Sequence, residues 1–538
     1  MNPKSRRQLR PANSPISGVH PSPFRSVLAL LTDERWRIGI LVAAAAVMAF
    51  LSFDPKLDTW GDNAFFIILG RSIASGQGMR DISHPNVPPS AYFFGFPAML
   101  AIIEWLSPGN HLAEKLLIVG WFLLAIPLCY LLARDLIGPG PALWTAILIA
   151  SNPFMLLWSS QVMTEMPFLS VSLLALFLLG RASAKSDRPS DPLFVGSLAA
   201  ILLAMTIRSA GVVLAIAAPL AMIIRRRYRL VAVMLLLLIA AIVGAVIAGY
   251  GPALWSYAPR LFGPSKGGPS GGAAFQNLVW RARANLWYQF VINLPVMIVP
   301  SPGPWLPASL LFGFRAVALL VLPLIVVGLA RMLWRSEPWA VYTGLYLIAV
   351  LIWQPDLAIT RAAIPVLPFL ILSLVVGAMG ALAWSRQRWP KGSVRLQSGL
   401  LSLALAANLW GNVEFIRTFR EYPPGWQSYF EAASWIEQHT SPESIVAARK
   451  PSLLYLTSKR RSIFPPYSPS PEEFLERLRR SHATHVIVDQ LGFRETGQLL
   501  VPAIRRYPDI FRPVYVTITQ PPTYVVEIHW PDSATFSR

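Results

Sequence analysis

The sequence predicts a mainly α protein, a polytopic membrane bundle of about 11–13 helices followed by a small α/β domain. Composition is the first observation, since 54% of the 538 residues are hydrophobic and only 14% are charged, with a mean hydropathy of +0.49. Soluble domains carry roughly 25% charged residues. The second observation is a series of long apolar segments, and the third is their disappearance after about Val413.

The apolar segments have the length and composition of membrane-spanning helices, which need about 20 residues or slightly fewer. The predicted spans are Trp36–Phe53, His111–Ala133, Pro141–Ser151, Met163–Gly180, Leu193–Ile207, Gly211–Ile224, Leu230–Tyr250, Leu310–Leu333, Trp339–Trp353, Ala362–Trp384 and Gln397–Asn412. A further apolar segment, Tyr92–Leu106, is short, and a full crossing there would reverse the side of every later loop. We therefore predict that it is a re-entrant or interfacial half-helix.

The basic loops indicate the orientation. Arg134 and the clusters RASAKSDR, RRRYR, RMLWR and WSRQRWPKGSVR all fall on one side of this arrangement, which the positive-inside rule makes cytoplasmic. Residues 1–35 then form a disordered basic cytoplasmic tail. Residues 36–412 form the transmembrane domain with outer loops 54–91 and 251–308, and residues 413–538 form the extracytoplasmic domain. The chain is thus predicted to be a multi-pass protein of the inner or plasma membrane.

The net charge of +20 is explained by these cytoplasmic anchors, which are attracted to anionic lipid. No basic stripe is interleaved with aromatic residues as in a nucleic-acid module, so nucleic acid is not a predicted partner. The single cysteine, Cys129, excludes an intramolecular disulfide.

The first outer loop carries the polar residues best suited to chemistry, including Asp58, Asp62 and His84. Asp62 precedes an apolar helix at 64–73, so it is explained either by helix capping or by service as a general base for an acceptor hydroxyl or amine. Asp58 is the second candidate for that role.

Three further charged residues lie at outer helix ends, namely Glu165, Arg208 and Arg361. Glu165 suits a helix N-terminus electrostatically, but a charge at membrane depth usually faces an aqueous cavity. Neither arginine is an inner-leaflet anchor. Because guanidinium groups bind phosphate through several directed donors, the two arginines predict a bound anion.

The loop 251–308 contains Lys266 in a Gly-rich stretch and then Arg281 and Arg283 among aromatic residues. An interfacial helix explains this segment, and so does a lid that closes over a lipid phosphate. Both interpretations stay open from the sequence.

Familiar catalytic motifs are absent from the sequence, including the P-loop, HExxH, GxSxG and the dinucleotide fingerprint. An ATP-driven pump is therefore disfavoured. We predict no cofactor and no metal ligands, because Asp58 and Asp62 alone do not make a metal site. A divalent metal nevertheless stays open.

The first outer loop resembles that of GT-C membrane glycosyltransferases, in particular the protein mannosyltransferase and aminoarabinose transferase-like (PMT-2-like) group. The similarity lies in DNAFFIILGRSIASGQG from Asp62, the following Pro-rich stretch and FGFPAMLA. TEMPFL at Glu165, TIRSAG at Arg208 and TRAAIPVLPFLIL at Arg361 follow in the family's order. The segment YFEAASWIEQHTSPESIVAARKPSLLYLTSKRRS resembles the family's exported domain.

This resemblance implies transfer of a sugar from a polyprenyl-phosphate donor to a lipid, glycan or protein acceptor at the outer membrane face. It assigns Asp62 as the base and Arg208 and Arg361 as phosphate-contacting groups. One departure concerns a Lys-Pro-Pro-Leu motif of aminoarabinose transferases, because this chain has Pro88 and Pro89 without the lysine. Lys266, Arg281 or Arg283 are candidates to supply the missing charge.

Two other classes of function remain open. A transporter or flippase of lipid-linked sugars would carry polar residues along a path through the membrane and often inverted repeats. An envelope polysaccharide polymerase or ligase also has many spans and outer arginines. Such proteins usually have one large loop between spans instead of a C-terminal α/β domain.

Overall fold

The computed structural model describes a helical bundle and a C-terminal domain built on a five-stranded sheet. The described residues are 33–59, 61–247, 263, 274–299, 308–354, 360–388 and 390–530 of the 538. Residues 1–32 of the predicted tail 1–35 and Lys266 lie outside these residues, while the last two residues of that tail already belong to the first helix.

Each predicted span corresponds to a helix of the bundle, in the predicted order and with ends that differ by up to seven residues, and further helices lie between them. They are α1 (Glu34–Leu51), α2 (Asp62–Ala74), α3 (Gly95–Leu106), α4 (His111–Ile137), α5 (Pro139–Ala150), α6 (Pro153–Ser159), α7 (Glu165–Lys185), α8 (Pro192–Ile207), α9 (Gly211–Ile224), α10 (Tyr228–Ala245), α11 (Ala274–Asn285), α12 (Leu294–Ile298), α13 (Ala308–Trp334), α14 (Pro338–Ile352), α15 (Leu367–Arg388) and α16 (Pro390–Phe419). A π-helix, Leu286–Asn293, joins α11 to α12.

Within the described residues, five helices are long and apolar enough to cross a membrane, and helices α5 and α6 make a sixth candidate bent by 59°. The bend has a local cause, because the side chain of Asn152 caps the backbone N–H groups of Phe154 and Met155. Pro153 then occupies the first helical position, where its missing N–H costs nothing. Several shorter apolar helices complete the set.

Large apolar side chains cover the outside of the bundle. Phe50 is 80% exposed, Trp105 77% and Leu236 67%. A soluble protein rarely exposes so many large apolar side chains, whereas lipid tails solvate them. The predicted multi-pass membrane bundle is thus confirmed.

The segment predicted as a half-helix is the short helix α3. Its 12 residues extend only about 18 Å, against roughly 30 Å of hydrocarbon. Helix α3 packs on α2, and its first residue touches the end of α8, because a methyl group on Gly95 would lie 2.7 Å from the carbonyl oxygen of Thr206. The short length agrees with the prediction, and its depth in the membrane stays a prediction.

Four of the five loops predicted to be cytoplasmic meet at one end of the bundle. Arg181 binds Asp135 at 2.9 Å, and Arg225 binds Glu337 at 3.0 Å and the hydroxyl of Ser183 at 2.6 Å. Arg181 lies 16 positions after the first residue of α7, Glu165, which is about 24 Å along the helix. The basic loops and the candidate site residues therefore lie at opposite ends of the same helices.

The C-terminal domain is an α/β domain, as predicted. Its elements are α17 (Pro424–His439), β1 (Ile445–Ala447), α18 (Pro451–Ser458), β2 (Arg461–Ile463), α19 (Pro471–Arg480), β3 (His485–Val488), α20 (Val501–Arg506), β4 (Phe511–Val516) and β5 (Tyr524–Ile528). The strand order is β2-β1-β3-β5-β4. Strand β1 is parallel to β2 and β3, whereas β5 is antiparallel to β3 and β4. Strand β2, with three residues, has no signal in the sequence pattern.

This domain is docked on the first outer loop. The hydroxyl of Tyr422 donates to the carbonyl oxygen of Leu57 at 2.7 Å, and the N–H of Ser462 donates to the carbonyl oxygen of Ser83 at 2.8 Å. Helix α16 continues to Phe419, several residues beyond the predicted boundary at 413. The loop 54–91 consequently lies between the bundle and the domain.

Candidate active site

Asp62 is the first residue of helix α2, and its carboxylate does not cap that helix. The capping position is Gly61, which has φ +97° and no side chain to donate or accept. The Oδ2 atom of Asp62 instead accepts a hydrogen bond from Nη1 of Arg361 at 2.7 Å. The Asp62 side chain is 40% exposed, so it remains accessible to a substrate while paired.

Glu165 is the first residue of helix α7 and its side chain is completely buried. Its Oε1 atom lies 2.5 Å from Nη1 of Arg208 and accepts from Nε of Arg361 at 3.1 Å. A single buried carboxylate therefore holds two partly buried arginines side by side, and their positive charges offset the cost of burying it.

Both arginines lie at breaks between helices. Arg208 ends α8 in an extended conformation, with φ −152° and ψ 145°, and α9 begins three residues later. Arg361 lies in a 3-10 turn, Thr360–Ala362, ahead of α15. Because the helices are interrupted at these two positions, both arginine side chains lie at the end of the bundle. In a continuous helix they would lie on its lateral face.

Asp62, Glu165, Arg208 and Arg361 form one continuous hydrogen-bonded chain, called here the Asp62 network. Its two positive and two negative charges cancel. The four residues come from α2, α7, the α8–α9 junction and the turn before α15. Sequence analysis singled out all four, and the structure brings them together.

Two tyrosines near this network have no signal in the sequence analysis. Tyr342 and Tyr346 lie on helix α14 with ring centroids 5.6 Å apart. The hydroxyl of Tyr346 donates to the carbonyl oxygen of Ala362 at 3.0 Å and so fixes the turn that carries Arg361. Their spacing of four residues on one helix face is a pattern typical of ordinary core packing, so nothing marked them in advance.

Asp58 lies apart from the Asp62 network, in a buried ion pair. Its Oδ1 atom accepts from Nζ of Lys115 at 2.9 Å, and its Oδ2 atom accepts from the N–H of Val162 at 3.1 Å. Burial raises the pKa of Asp58 more than the ammonium group of Lys115 lowers it. The pair ties the first loop to α4 and to the segment before α7, which is a positioning arrangement.

His84 lies in a turn of the first loop, where its Nδ1 atom faces the backbone N–H of Asn86 at 3.1 Å. In the part of the chain that the structure describes, no hydrogen bond or ion pair joins His84 to the Asp62 network. The preceding residue, Ser83, makes the loop's backbone contact with the C-terminal domain. His84 therefore lies one residue after a contact with the C-terminal domain and, among the described residues, is not joined to the Asp62 network.

The arginines of the loop 251–308 have two different environments. Arg281 is buried and donates to the carbonyl oxygens of Gly263 and Ile352, the latter at 3.4 Å. The bond to Ile352, with two from the amide of Asn285 to Leu351 and Trp353, satisfies the carbonyl end of α14. Arg283 is exposed along an open groove of about 470 Å³ with Trp280 and Trp287. The interfacial-helix and lid interpretations both stay open.

Among the described residues, no group of three or more His, Cys, Asp or Glu side chains is placed to hold a metal ion. The prediction that the protein needs no cofactor stays a prediction.

Residues 94–250 match the family described as dolichyl-phosphate-mannose-protein mannosyltransferase. This match includes Glu165 and Arg208, and it leaves Asp62 and Arg361 outside. No curated protein matches the sequence.

Solved structures match over most of the chain. ArnT from Cupriavidus metallidurans bound to undecaprenyl phosphate has a TM-score of 0.57 at 14% identity, covering 91% of this chain and 97% of ArnT. The archaeal oligosaccharyltransferase AglB from Archaeoglobus fulgidus, in complex with an inhibitory peptide and a dolichol-phosphate, has a TM-score of 0.53 at 13% identity. That match covers 84% of this chain and 69% of AglB.

These matches confirm the resemblance found in the sequence. The chain has the fold of GT-C membrane glycosyltransferases and is similar to their group of protein mannosyltransferases and ArnT-like proteins.

Proposed function

We propose that this protein is a membrane glycosyltransferase that moves a sugar from a polyprenyl-phosphate donor to an acceptor at the outer membrane face. The observation that carries this proposal is the Asp62 network. It combines a partly exposed carboxylate with two arginines at the end of the bundle opposite the basic loops.

The arginines suit the leaving group of this reaction. As the bond between the anomeric carbon and the phosphate oxygen breaks, negative charge develops on the polyprenyl phosphate. Guanidinium groups held in a partly buried site stabilise such charge without reorganising. Arg208 and Arg361 are held by the buried Glu165, so we assign them to the phosphate.

Asp62 is suited to activate the acceptor. A hydroxyl or amine that attacks the anomeric carbon must lose its proton, and a carboxylate within hydrogen-bond reach accepts it. When a donor phosphate competes for Arg361, the bond between Arg361 and Asp62 weakens, which leaves the carboxylate available. Attack from the face opposite the phosphate gives inversion at the anomeric carbon.

The solved relatives support a lipid-linked donor. One of them is bound to undecaprenyl phosphate and another to a dolichol-phosphate. We extend this class of ligand to the present chain. The acceptor is a lipid, a glycan or a protein, and the sugar a hexose or a pentose, since the network contacts described here select none of them.

The direct test is release of undecaprenyl phosphate from a synthetic undecaprenyl-phosphate sugar by the purified protein supplied with envelope extract as acceptor. We expect Asp62→Asn to lower the rate at least about a hundredfold, because the amide keeps the shape and loses the basicity. The matched control is Asp509→Asn on the C-terminal domain, which should keep the wild-type rate. Near-normal transfer by Asp62→Asn contradicts the assigned base.

Movement of the intact donor across vesicles without cleavage would instead support a transporter. The same assay in EDTA tests the predicted independence from metal.

A further inference from the structure

The C-terminal domain places a short basic segment against the Asp62 network. Arg449 and Lys450 follow strand β1, and Asp489 follows strand β3. Because β1 and β3 are parallel neighbours, their carboxyl ends meet at one edge of the sheet. Strand β2 lies on one side of β1 and strand β3 on the other, so the connections that follow β1 and precede β3 run in opposite directions. The carboxyl ends of β1 and β3 therefore form a topological switch point. Open α/β sheets bind their ligands at such points.

Arg449 is held inside the domain by aromatic rings. Its guanidinium carbon lies 4.0 Å from the ring centroid of Phe493, 5.0 Å from that of Phe464 and 5.6 Å from that of Tyr467. The hydroxyl of Tyr429 also donates to the carbonyl oxygen of Lys450 at 2.9 Å. These contacts fix the backbone at both residues, so the direction of the Lys450 side chain is set by the fold.

The Lys450 side chain lies over the start of helix α2. A methyl group placed on Gly61 would lie 3.5 Å from Nζ of Lys450 and 3.8 Å from its Cδ. Gly61 directly precedes Asp62, so the ammonium group borders the Asp62 network. Burial and the neighbouring Arg449 lower the pKa of Lys450, while Asp62 and Asp489 act to raise it.

The charge balance of the site explains why this position matters. The Asp62 network is neutral by itself, since two arginines face two carboxylates. A phosphate that enters it adds negative charge. Lys450 is an additional cation, and it comes from the C-terminal domain and not from the helices of the network. A positive charge near the phosphate stabilises it both in the bound donor and as the leaving group.

We propose that Lys450 is a phosphate-contacting residue of the Asp62 site, contributed by the C-terminal domain. This inference rests on the proposed function, and it gives the domain a direct part in binding the donor.

The test compares binding of undecaprenyl phosphate and of undecaprenol to the full-length protein in lipid nanodiscs. The two lipids share the tail and differ in the phosphate. We expect wild-type protein to bind undecaprenyl phosphate more tightly than undecaprenol. In Lys450→Met the ratio of the two dissociation constants should fall about tenfold, which is the scale of one hydrogen bond between charged groups. Lys450→Arg should retain most of it.

Lys459→Met is the matched control. Lys459 follows the C-terminal end of α18, pairs with Glu437 at 2.7 Å, and is 77% exposed, so its removal should leave the preference unchanged. If Lys450 only ties the domain to the bundle, Lys450→Met lowers the unfolding temperature and keeps the wild-type phosphate preference. That result overturns the proposal.

The outcomes also separate this inference from the proposed function. Wild-type protein that binds undecaprenyl phosphate through Lys450 but transfers no sugar contradicts only the proposed function. Wild-type protein that transfers sugar, with an unchanged phosphate preference in Lys450→Met, contradicts only the role of Lys450. If Lys450→Met does not insert, Lys450→Gln replaces it, because glutamine keeps polarity and removes the charge.

Discussion

Glu165 is the residue on which the arrangement of the Asp62 network depends. Its buried carboxylate contacts both arginines, whereas Asp62 contacts only Arg361. Two guanidinium groups repel each other, and burial makes each of them costly without a partner. Glu165 therefore has a positioning role that differs from the role proposed for Asp62.

We expect Glu165→Gln to destabilise the folded protein by about 3 kcal/mol, because it removes the ion-pair partner of Arg208 and leaves Arg361 paired with Asp62 alone. The measurement is the unfolding temperature in detergent. Glu443→Gln, at an exposed position of the C-terminal domain, is the control. An unchanged unfolding temperature in Glu165→Gln would show that the network does not stabilise the fold.

Glu431 gives a prediction on pH at the same scale. Partial burial acts to raise its pKa, but hydrogen bonds from the Thr519 hydroxyl, the Ile518 N–H, the Tyr515 hydroxyl and the Thr519 N–H lower it to about 2. A carboxyl whose folded pKa is below its unfolded value stabilises the fold above the unfolded pKa. That stability is lost as the pH falls through the folded pKa.

We therefore expect wild-type protein to unfold at a higher temperature than Glu431→Gln at pH 7, with the difference shrinking from about pH 4.5 toward pH 2. The measurement is the unfolding temperature of the two full-length proteins across that range. A difference that is independent of pH would mean that the carboxylate charge contributes nothing.

At the scale of elements, helices α13 and α15 cross so closely that their backbones are in contact. A methyl group on Gly377 would collide with the carbonyl oxygen of Leu324, and one on Gly328 would collide with that of Ser373. Small residues let membrane helices approach until their backbones touch. This crossing fixes α15, whose start lies just after the turn that carries Arg361.

We expect Gly377→Ala to destabilise the protein by about 1–3 kcal/mol, because the backbone of α13 cannot move aside as a flexible side chain would. The matched control is Gly399→Ala on α16, where an added methyl group meets open space and removes only glycine flexibility. Equal unfolding temperatures for the two variants would contradict the close crossing. Transfer activity should fall with stability in Gly377→Ala alone.

At the scale of the whole molecule, the basic loops and the Asp62 network lie at opposite ends of the bundle. The C-terminal domain lies at the network's end, joined to the first loop through Tyr422 and Ser462. If the basic end faces the cytoplasm, both the network and the domain face outward, where a sugar acceptor of the cell envelope would be found.

Cysteine labelling checks this orientation. Cys129 is the only native cysteine and it is buried, so single cysteines can be introduced at exposed positions. In intact cells stripped of any outer membrane, we expect a membrane-impermeant maleimide to label Ser441→Cys on the domain. Ser190→Cys, in the loop after α7, should be labelled only after permeabilisation. The reverse pattern would contradict the proposed site of the reaction.

The sequence by itself determined the bundle, the order of its helices and the identity of the four network residues. These follow from hydropathy and from the cost of charges beside apolar helices, both of which are local properties. The short helix α3 was also predictable, because its apolar segment contains too few residues to cross the membrane. The difference between Asp58 and Asp62, four positions apart, is not local.

Only the tertiary structure decided that difference, because it depends on which cation each carboxylate meets. Asp58 is buried against Lys115, while Asp62 remains partly exposed beside Arg361, 299 positions away in the chain. The same holds for Lys450, which reaches Gly61 only because the domain docks on the first loop. Contacts between residues so distant in sequence leave no pattern in a single chain, since they are set by the packing of whole elements.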